Sequence, residues 1–313
     1  ALARGRLQPA WPAPAATMAG LPASVRLQVD ELALTARPSP SATAPWQLSA
    51  TQGFAIDWRQ PHGGPLLETG AVKLTLQAPQ APTASTPARL QWEHLRWHRG
   101  ALSTQGSLGN LPLAWADLLT AQGDPAGGAL TRAGIVTDLM LQGQWELVLP
   151  EGSKELPRVQ LALQRQSGDL TVRTDALPAP VTAGVRTARL DVSTQGQTVH
   201  SRLQWDTREL GQIEASAQTA LAPPSGEQPA WHWPEQAPLS GQVRAHVPEA
   251  GVWSALAPPG WRVQGSLDAQ VELAGTRAEP RWGGTLDARQ LAVSSVVEGI
   301  AFTGGQLLAR LDG

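Results

Sequence analysis

The chain has 313 residues with 24 basic and 26 acidic side chains, a formal net charge of −2, and the two signs are interspersed along its length. It carries no basic stripe of the kind that follows a phosphate backbone, so composition argues against nucleic acid as a partner. The absence of cysteine removes disulfides, thiolate metal sites and a cysteine nucleophile, and with 13 Trp, 2 Phe and no Tyr the apolar surfaces fall to Leu, Val and Ala.

No run of apolar residues is long enough for a membrane helix, and no charged-then-apolar leader opens the chain, so neither a span nor a signal peptide is predicted. The first residue is Ala1 and the last, Gly313, closes a strand pattern; both ends read as cuts in a longer polypeptide. Residues 1–23, with Pro9, Pro12, Pro14 and Pro22, read as a linker or edge segment. Residues 24–313 read as a single elongated β segment with a candidate internal repeat boundary near 125–135.

In chain order, a period of two recurs through Trp46, Leu48, Ala50, Phe54, Ile56 and Trp58, Gln52 being the one exception. Such alternation puts one greasy and one wet face on a strand. His98-Arg99-Gly100 is predicted to turn a hairpin between Leu95/Trp97 and Leu102. Leu113 to Thr120, after Pro112, is predicted as a short helix with Trp115 and Leu118 on one face. Leu139, Leu141, Gly143, Trp145, Leu147 and Leu149 form the next one-sided strand. Ser167-Gly168-Asp169 and Gln195-Gly196-Gln197 are predicted hairpin turns. Ile213, Ala215, Ala217, Thr219 and Leu221 continue the pattern. Connections rich in Pro and Ser fall at 38–45, 79–87, 177–180 and 222–238. The last holds Trp231-His232-Trp233, either an aromatic patch for a membrane or partner, or rings folded over a sheet edge. Glu249 to Leu256, after Pro248, is the second predicted helix and repeats the strand-then-helix context of the first. Both helices are expected to cover an open end or edge of the sheet.

The clearest alternation is Trp261, Val263, Gly265, Leu267, Ala269, Val271 and Leu273, a strand of about 40 Å at roughly 3.3 Å per residue. Beyond it, Trp282, Gly284, Leu286 and Ala288 share one parity, while Leu291 and Val293 take the other. A bulge near Arg289 and Gln290 would restore the apolar face.

Catalytic signals are sparse. Of the histidines only His94 and His98 are close, and on a strand they stand about 13 Å apart, too far to share a metal. No phosphate-cradling Gly loop and no serine elbow occurs. Asp268 and Glu272 share a face, as on any solvated strand. No enzyme activity, cofactor or metal is expected.

Gly265, Leu267, Leu273, Gly275, Thr276, Pro280, Trp282, Gly284, Leu286, Ala288 and Leu291 lie in the phrase GSLDAQVELAGTRAEPRWGGTLDARQL. That phrase, preceded by LSGQVRAHVPEAGVWSALAP, resembles the TamB family, relatives of the AsmA-like proteins of Gram-negative envelopes; the specific likeness covers about 240 to 313. The resemblance implies a β-taco, an elongated twisted sheet curled into an apolar groove, with two short amphipathic helices. It implies a periplasmic body tethered to the inner membrane by an N-terminal helix outside this segment. Implied partners are phospholipid acyl chains, a TamA-like outer-membrane barrel reached through regions outside the segment, and nascent outer-membrane proteins. Trp261, Val263, Leu267, Val271, Leu273, Leu286, Leu139, Leu141, Trp145 and Leu147 are the residues expected to line such a groove.

Independently of the resemblance, a long sheet with one apolar face either folds on itself as a sandwich or curls around something apolar. Three function classes follow: a hydrophobic conduit for phospholipid between membranes, a docking scaffold for outer-membrane protein assembly without lipid conduction, and a carbohydrate-active β-helix enzyme. The missing acid/base constellation weighs against the third.

Overall fold

The computed structural model describes residues 2–9, 24–36, 46–60, 65–78, 87–121, 127–152, 154–173, 179–226, 228, 230–252, 261–295 and 298–312. The strands are β1 (Leu2–Pro9), β2 (Ser24–Ala36), β3 (Trp46–Ala50), β4 (Phe54–Arg59), β5 (Leu66–Thr69), β6 (Val72–Gln77), β7 (Ala88–His98) and β8 (Ala101–Pro112). Two helices follow, α1 (Trp115–Ala121) and α2 (Ala129–Arg132), then β9 (Ile135–Thr137), β10 (Met140–Leu149), β11 (Arg158–Ser167), β12 (Leu170–Val172) and β13 (Val181–Thr182). The chain continues through β14 (Val185–Gln195), β15 (Thr198–Thr207), β16 (Gln212–Ala220), β17 (Leu239–Val247), β18 (Trp261–Gly275), β19 (Pro280–Ser295) and β20 (Ile300–Asp312).

Seventeen of these strands form one antiparallel sheet and β9, β12 and β13 a small side sheet. Within the main sheet pairing runs essentially in chain order, β3 with β6 and β4 with β5 nested between β2 and β7, so the elongated, curled sheet is one continuous meander. The strand read through Trp46 to Trp58 is broken at 51–53, where the alternation slips at Gln52; β3 and β4 lie end to end against β2. In the same way β5 and β6 together face β4, β3 and β7.

The turn at Arg99-Gly100 has φ of 48° and 84° and pairs His98 with Ala101, the double left-handed turn that suits strand twist. Gln195 pairs with Thr198 around Gly196, as predicted. The bulge is found where the parity slips, with Gln290 at φ 52° and the register shifting between Ala288 and Leu291. On β18 the same bulge lies opposite Gly265, φ 119°, which alone faces Gln290 and Leu291 of β19. Bulges increase local twist and bend the sheet.

One reading needs correction. Gly168 does not turn a hairpin: β11 pairs with β10 and β14, while β12 leaves the main sheet to pair with β9 and β13. The positive φ of Gly168, 80°, marks a turn but not its direction, and its missing side chain admits Asp138 O, which a Cβ would approach to 2.2 Å. Of the segment read as a linker or edge, Leu2–Pro9 form β1, paired along its length with β2. Across residues 125–135 the sheet is continuous, because β8 and β10 pair directly.

Helix α1 matches the first predicted helix. Of the second, residues 250–252 form one 3₁₀ turn, and Trp253 and Leu256 lie outside the described residues, as do 38–45, 79–86 and 177–178 of the Pro-rich connections.

The main buried cluster sits where the side sheet folds over the ends of β10, β14 and β15. Leu139, Leu170, Val172, Ala183, Val185, Ala188, Leu210 and Val252 form it, with Leu113, Leu141 and Trp205 packed against it. Trp115 of α1 meets Trp46 of β3 edge to face, centroids 4.8 Å apart, so the helix reaches from β8 back to β3. Side sheet and helices therefore close one rim of the main sheet, the end marked by Pro112, Met140, Thr207 and Val247.

Candidate functional site: an unbroken apolar lane

Cross-strand neighbours in an antiparallel sheet share a face, so the register assigns every side chain to one of two surfaces. Followed strand to strand, Ala50, Leu74, Leu90, Leu108, Gly143, Leu163, Leu190, Leu203, Ala215, Val243, Val271, Gly284 and Leu311 are successive partners. This lane crosses thirteen strands without a polar residue. Twelve steps of about 4.8 Å make it about 58 Å long measured across the sheet, nearly twice the hydrocarbon thickness of a bilayer.

The lane is neither buried nor bare. Leu74 is 5% exposed and Leu203 38%, and the others are half-buried. Rows on either side are also mainly apolar: Trp92, Gly106, Trp145, Leu161, Val192, Ser201, Ala217, Gly241, Leu273 and Trp282 toward the free rim, and Trp205, Ile213, Ala245, Ala269 and Leu286 toward the capped rim. Polar atoms on this face satisfy each other. Trp92 Nε1 donates to Thr69 Oγ1 at 3.1 Å, Trp145 Nε1 to Thr104 Oγ1 at 3.4 Å and Trp233 Nε1 to Thr219 Oγ1 at 2.9 Å. An indole or hydroxyl already paired presents mostly carbon to a ligand.

Of the predicted lining residues, Val271 lies on the lane, with Leu273 one row toward the free rim and Leu286 and Leu267 one and two rows toward the capped rim. Leu141, Trp145 and Leu147 share the face on β10. Trp261 and Val263 lie beyond the Gly265 bulge, opposite Ser295 and Val293 at the capped rim. Leu139 departs from the expectation: it precedes β10, is 1% exposed and belongs to the core under the side sheet, where no ligand reaches it. The lane residues Leu108, Leu163, Leu190, Leu203 and Leu311 were not singled out, because register between strands is not written in the periodicity of either one.

The opposite face is a solvated ladder of charges. Arg26 binds Asp57 through two bonds of 2.7 and 2.8 Å, Arg189 pairs with Asp191 and Arg289 with Asp287, each at 2.6 Å. The guanidinium in each pair holds its carboxyl below the usual range. Depressions of about 460 and 870 Å³ on this face are shallow and lined mostly by polar residues, the first by His246, Asp268 and Asp287, the second by His200, Gln218, Ser240 and Glu272. His246 Nδ1 and Asp268 Oδ1 are 2.6 Å apart, both half-exposed. His94 bonds to Ser103 Oγ and His98 to Glu151, so the two histidines serve separate partners.

At the free rim, the 221–238 connection folds back on the sheet. Trp231 is 5% exposed and its indole N–H donates to Gly152 O in the β10–β11 connection at 3.2 Å. Trp233 is 44% exposed beneath the Arg277 guanidinium, 4.8 Å from its ring centre. The Trp-His-Trp segment thus divides, one ring inward and one at the surface.

Compared with known proteins, the chain matches no family model, no curated protein and no solved structure.

Proposed function

We propose that this segment holds the acyl chains of phospholipids in its apolar lane and passes them along it, as part of a periplasmic bridge between inner and outer membranes. The observation that carries the reading is the thirteen-strand lane, half-exposed and free of polar residues. Leu, Val, Ala and Gly make no directional bonds, so a chain seated there meets similar contacts at each step. Burial stabilises an acyl chain by about 0.8 kcal/mol per CH₂, enough for a partly sheltered tail to be held appreciably. The TamB-like phrase over β18 and β19 supports the same reading, with an inner-membrane tether, a TamA-like barrel and nascent outer-membrane proteins as the accompanying partners.

The test is native mass spectrometry of the purified chain with lipid extraction. Wild type is expected to carry phospholipid, and Leu203→Asp and Val271→Asp to lose most of it with their far-ultraviolet circular dichroism intact. A lipid-free wild type, or charged variants that keep their lipid, overturns the reading.

A scaffold role in outer-membrane protein assembly has its own support in β20. Among the described residues this thirteen-residue strand pairs with β19, and its Leu308 is 73% exposed, a one-sided strand of the kind that strand addition uses. Photocrosslinkers along β20 that capture a substrate β-strand favour it; crosslinks confined to lipid count against it.

A further inference from the structure

The two rims of the apolar face differ in kind. One is covered over its middle by the side sheet, α1 and the Leu139 cluster, with Ile300 (44%) and Phe302 (52%) exposed where it reaches β20. The other carries the half-exposed tryptophans: among the described residues Trp97 (40%), Trp233 (44%) and Trp282 (47%) are the exposed indoles, and all three lie at strand ends or connections of the free rim. Indoles with an apolar body and a polar tip favour the boundary between hydrocarbon and water.

Arg277 stands at that boundary, in the β18–β19 connection. Its guanidinium covers the Trp233 ring at 4.8 Å and donates through Nη1 to Trp233 O at 2.5 Å, while its own N–H is held by Ala237 O at 3.0 Å. The Trp233 indole is in turn fixed to Thr219, a residue of the apolar face two rows from lane residue Ala215. Nine arginines elsewhere pair with carboxylates. Among the described residues Arg277 has no such partner, although Glu235 and Glu279 lie in the two connections that meet there. A guanidinium has five N–H donors, and stacking leaves its edge free to grip a phosphate through two of them.

We infer that Arg277, set on Trp233 at the free rim, is a recognition site for the phosphate of a phospholipid headgroup whose acyl chains lie in the apolar lane. The inference rests on the groove reading. Four residues of strand separate Thr219 from Ala215, about 13 Å, a distance that leaves the glycerol and esters over the Thr-bearing margin and the tails over Leu and Val. Headgroups then stay in water at the rim that carries the exposed indoles.

The full chain is incubated with equimolar detergent-solubilised dioleoyl-phosphatidylglycerol and dioleoylglycerol, freed of detergent, and the retained lipids counted by mass spectrometry. Wild type is expected to favour the phospholipid, and Arg277→Gln to lower the phospholipid-to-diacylglycerol ratio about five- to tenfold, in the range of one exposed charge-assisted contact. Arg277→Lys, which keeps the charge, should restore part of the ratio, and raising the salt should lower it in wild type. An unchanged ratio in Arg277→Gln, with both lipids still retained, overturns the headgroup site and leaves the groove reading intact; retention of neither lipid by wild type overturns both. Saturable binding of inorganic phosphate to the lipid-free chain in equilibrium dialysis would reassign Arg277 to a free anion and overturn the lipid assignment.

Discussion

Gly106 shows how tightly one position constrains the apolar face. It lies between Trp92 and Trp145 in the row beside the lane, and a Cβ there would stand 2.4 Å from Gln91 O and 2.4 Å from Trp145 Cζ2. Only a residue without a side chain lets the Trp145 indole lie flat across β8. Gly106→Val is expected to cost about 1–3 kcal/mol through overpacking. Gly109→Ala, on the same strand with open space around its Cβ, should cost much less. Urea titration checks this: the midpoint of the first variant should fall with its slope unchanged. The surface ion pairs invite no such claim, since exposed pairs contribute about 0–1 kcal/mol each.

At the scale of elements, Asp117 ties the two helices together. Its carboxylate accepts the backbone N–H of Leu130 at 2.7 Å and of Thr131 at 3.1 Å, and the Thr131 hydroxyl, so a residue of α1 caps the start of α2. Burial raises its pKa, but the Thr131 and Leu130 hydrogen bonds and the Arg132 charge outweigh burial and leave it lowered. A lowered carboxyl stabilises the fold above its unfolded value, roughly pH 4, and that contribution is lost as pH falls through the folded value. Protection factors at Leu130 and Thr131, taken against the intrinsic exchange rate at each pH, should therefore fall on acidification, and Asp117→Asn should remove most of that pH dependence.

How far these elements were legible follows from their length. Long strands of period two, the turns at Gly100 and Gly196, and the bulge at Gln290 all leave local marks, because Gly, parity and positive φ act within a few residues. The side sheet left none: β9 and β12 have three residues each and β13 two, too short for any periodicity, so Leu170 and Val172 read as the return arm of a hairpin. The lane and the Trp233–Arg277 contact were hidden for a different reason. Both join residues from separate connections or strands, and only register and tertiary folding bring them into line.

For the whole molecule, the meander means that each long strand leans on the strands before and after it and on little else. Stability in such an array is close to a sum of local and neighbour terms, as in repeat proteins. Protection from hydrogen exchange should thus be lowest in the edge strands β1 and β20 and rise toward β10–β16, where the side sheet adds a second layer. A flat profile measured by mass spectrometry would contradict this.

That connectivity also bears on how the chain is made. Nearly every strand finds its partner in a segment already synthesised, the main detour being the excursion through α1, α2 and β9 before β10 joins β8. Loop-closure entropy stays small at each addition, which keeps contact order low for an all-β protein. A polypeptide emerging end first from a ribosome or an export channel can zip up the main sheet largely in the order in which it appears, while the short β9 of the side sheet waits for β12.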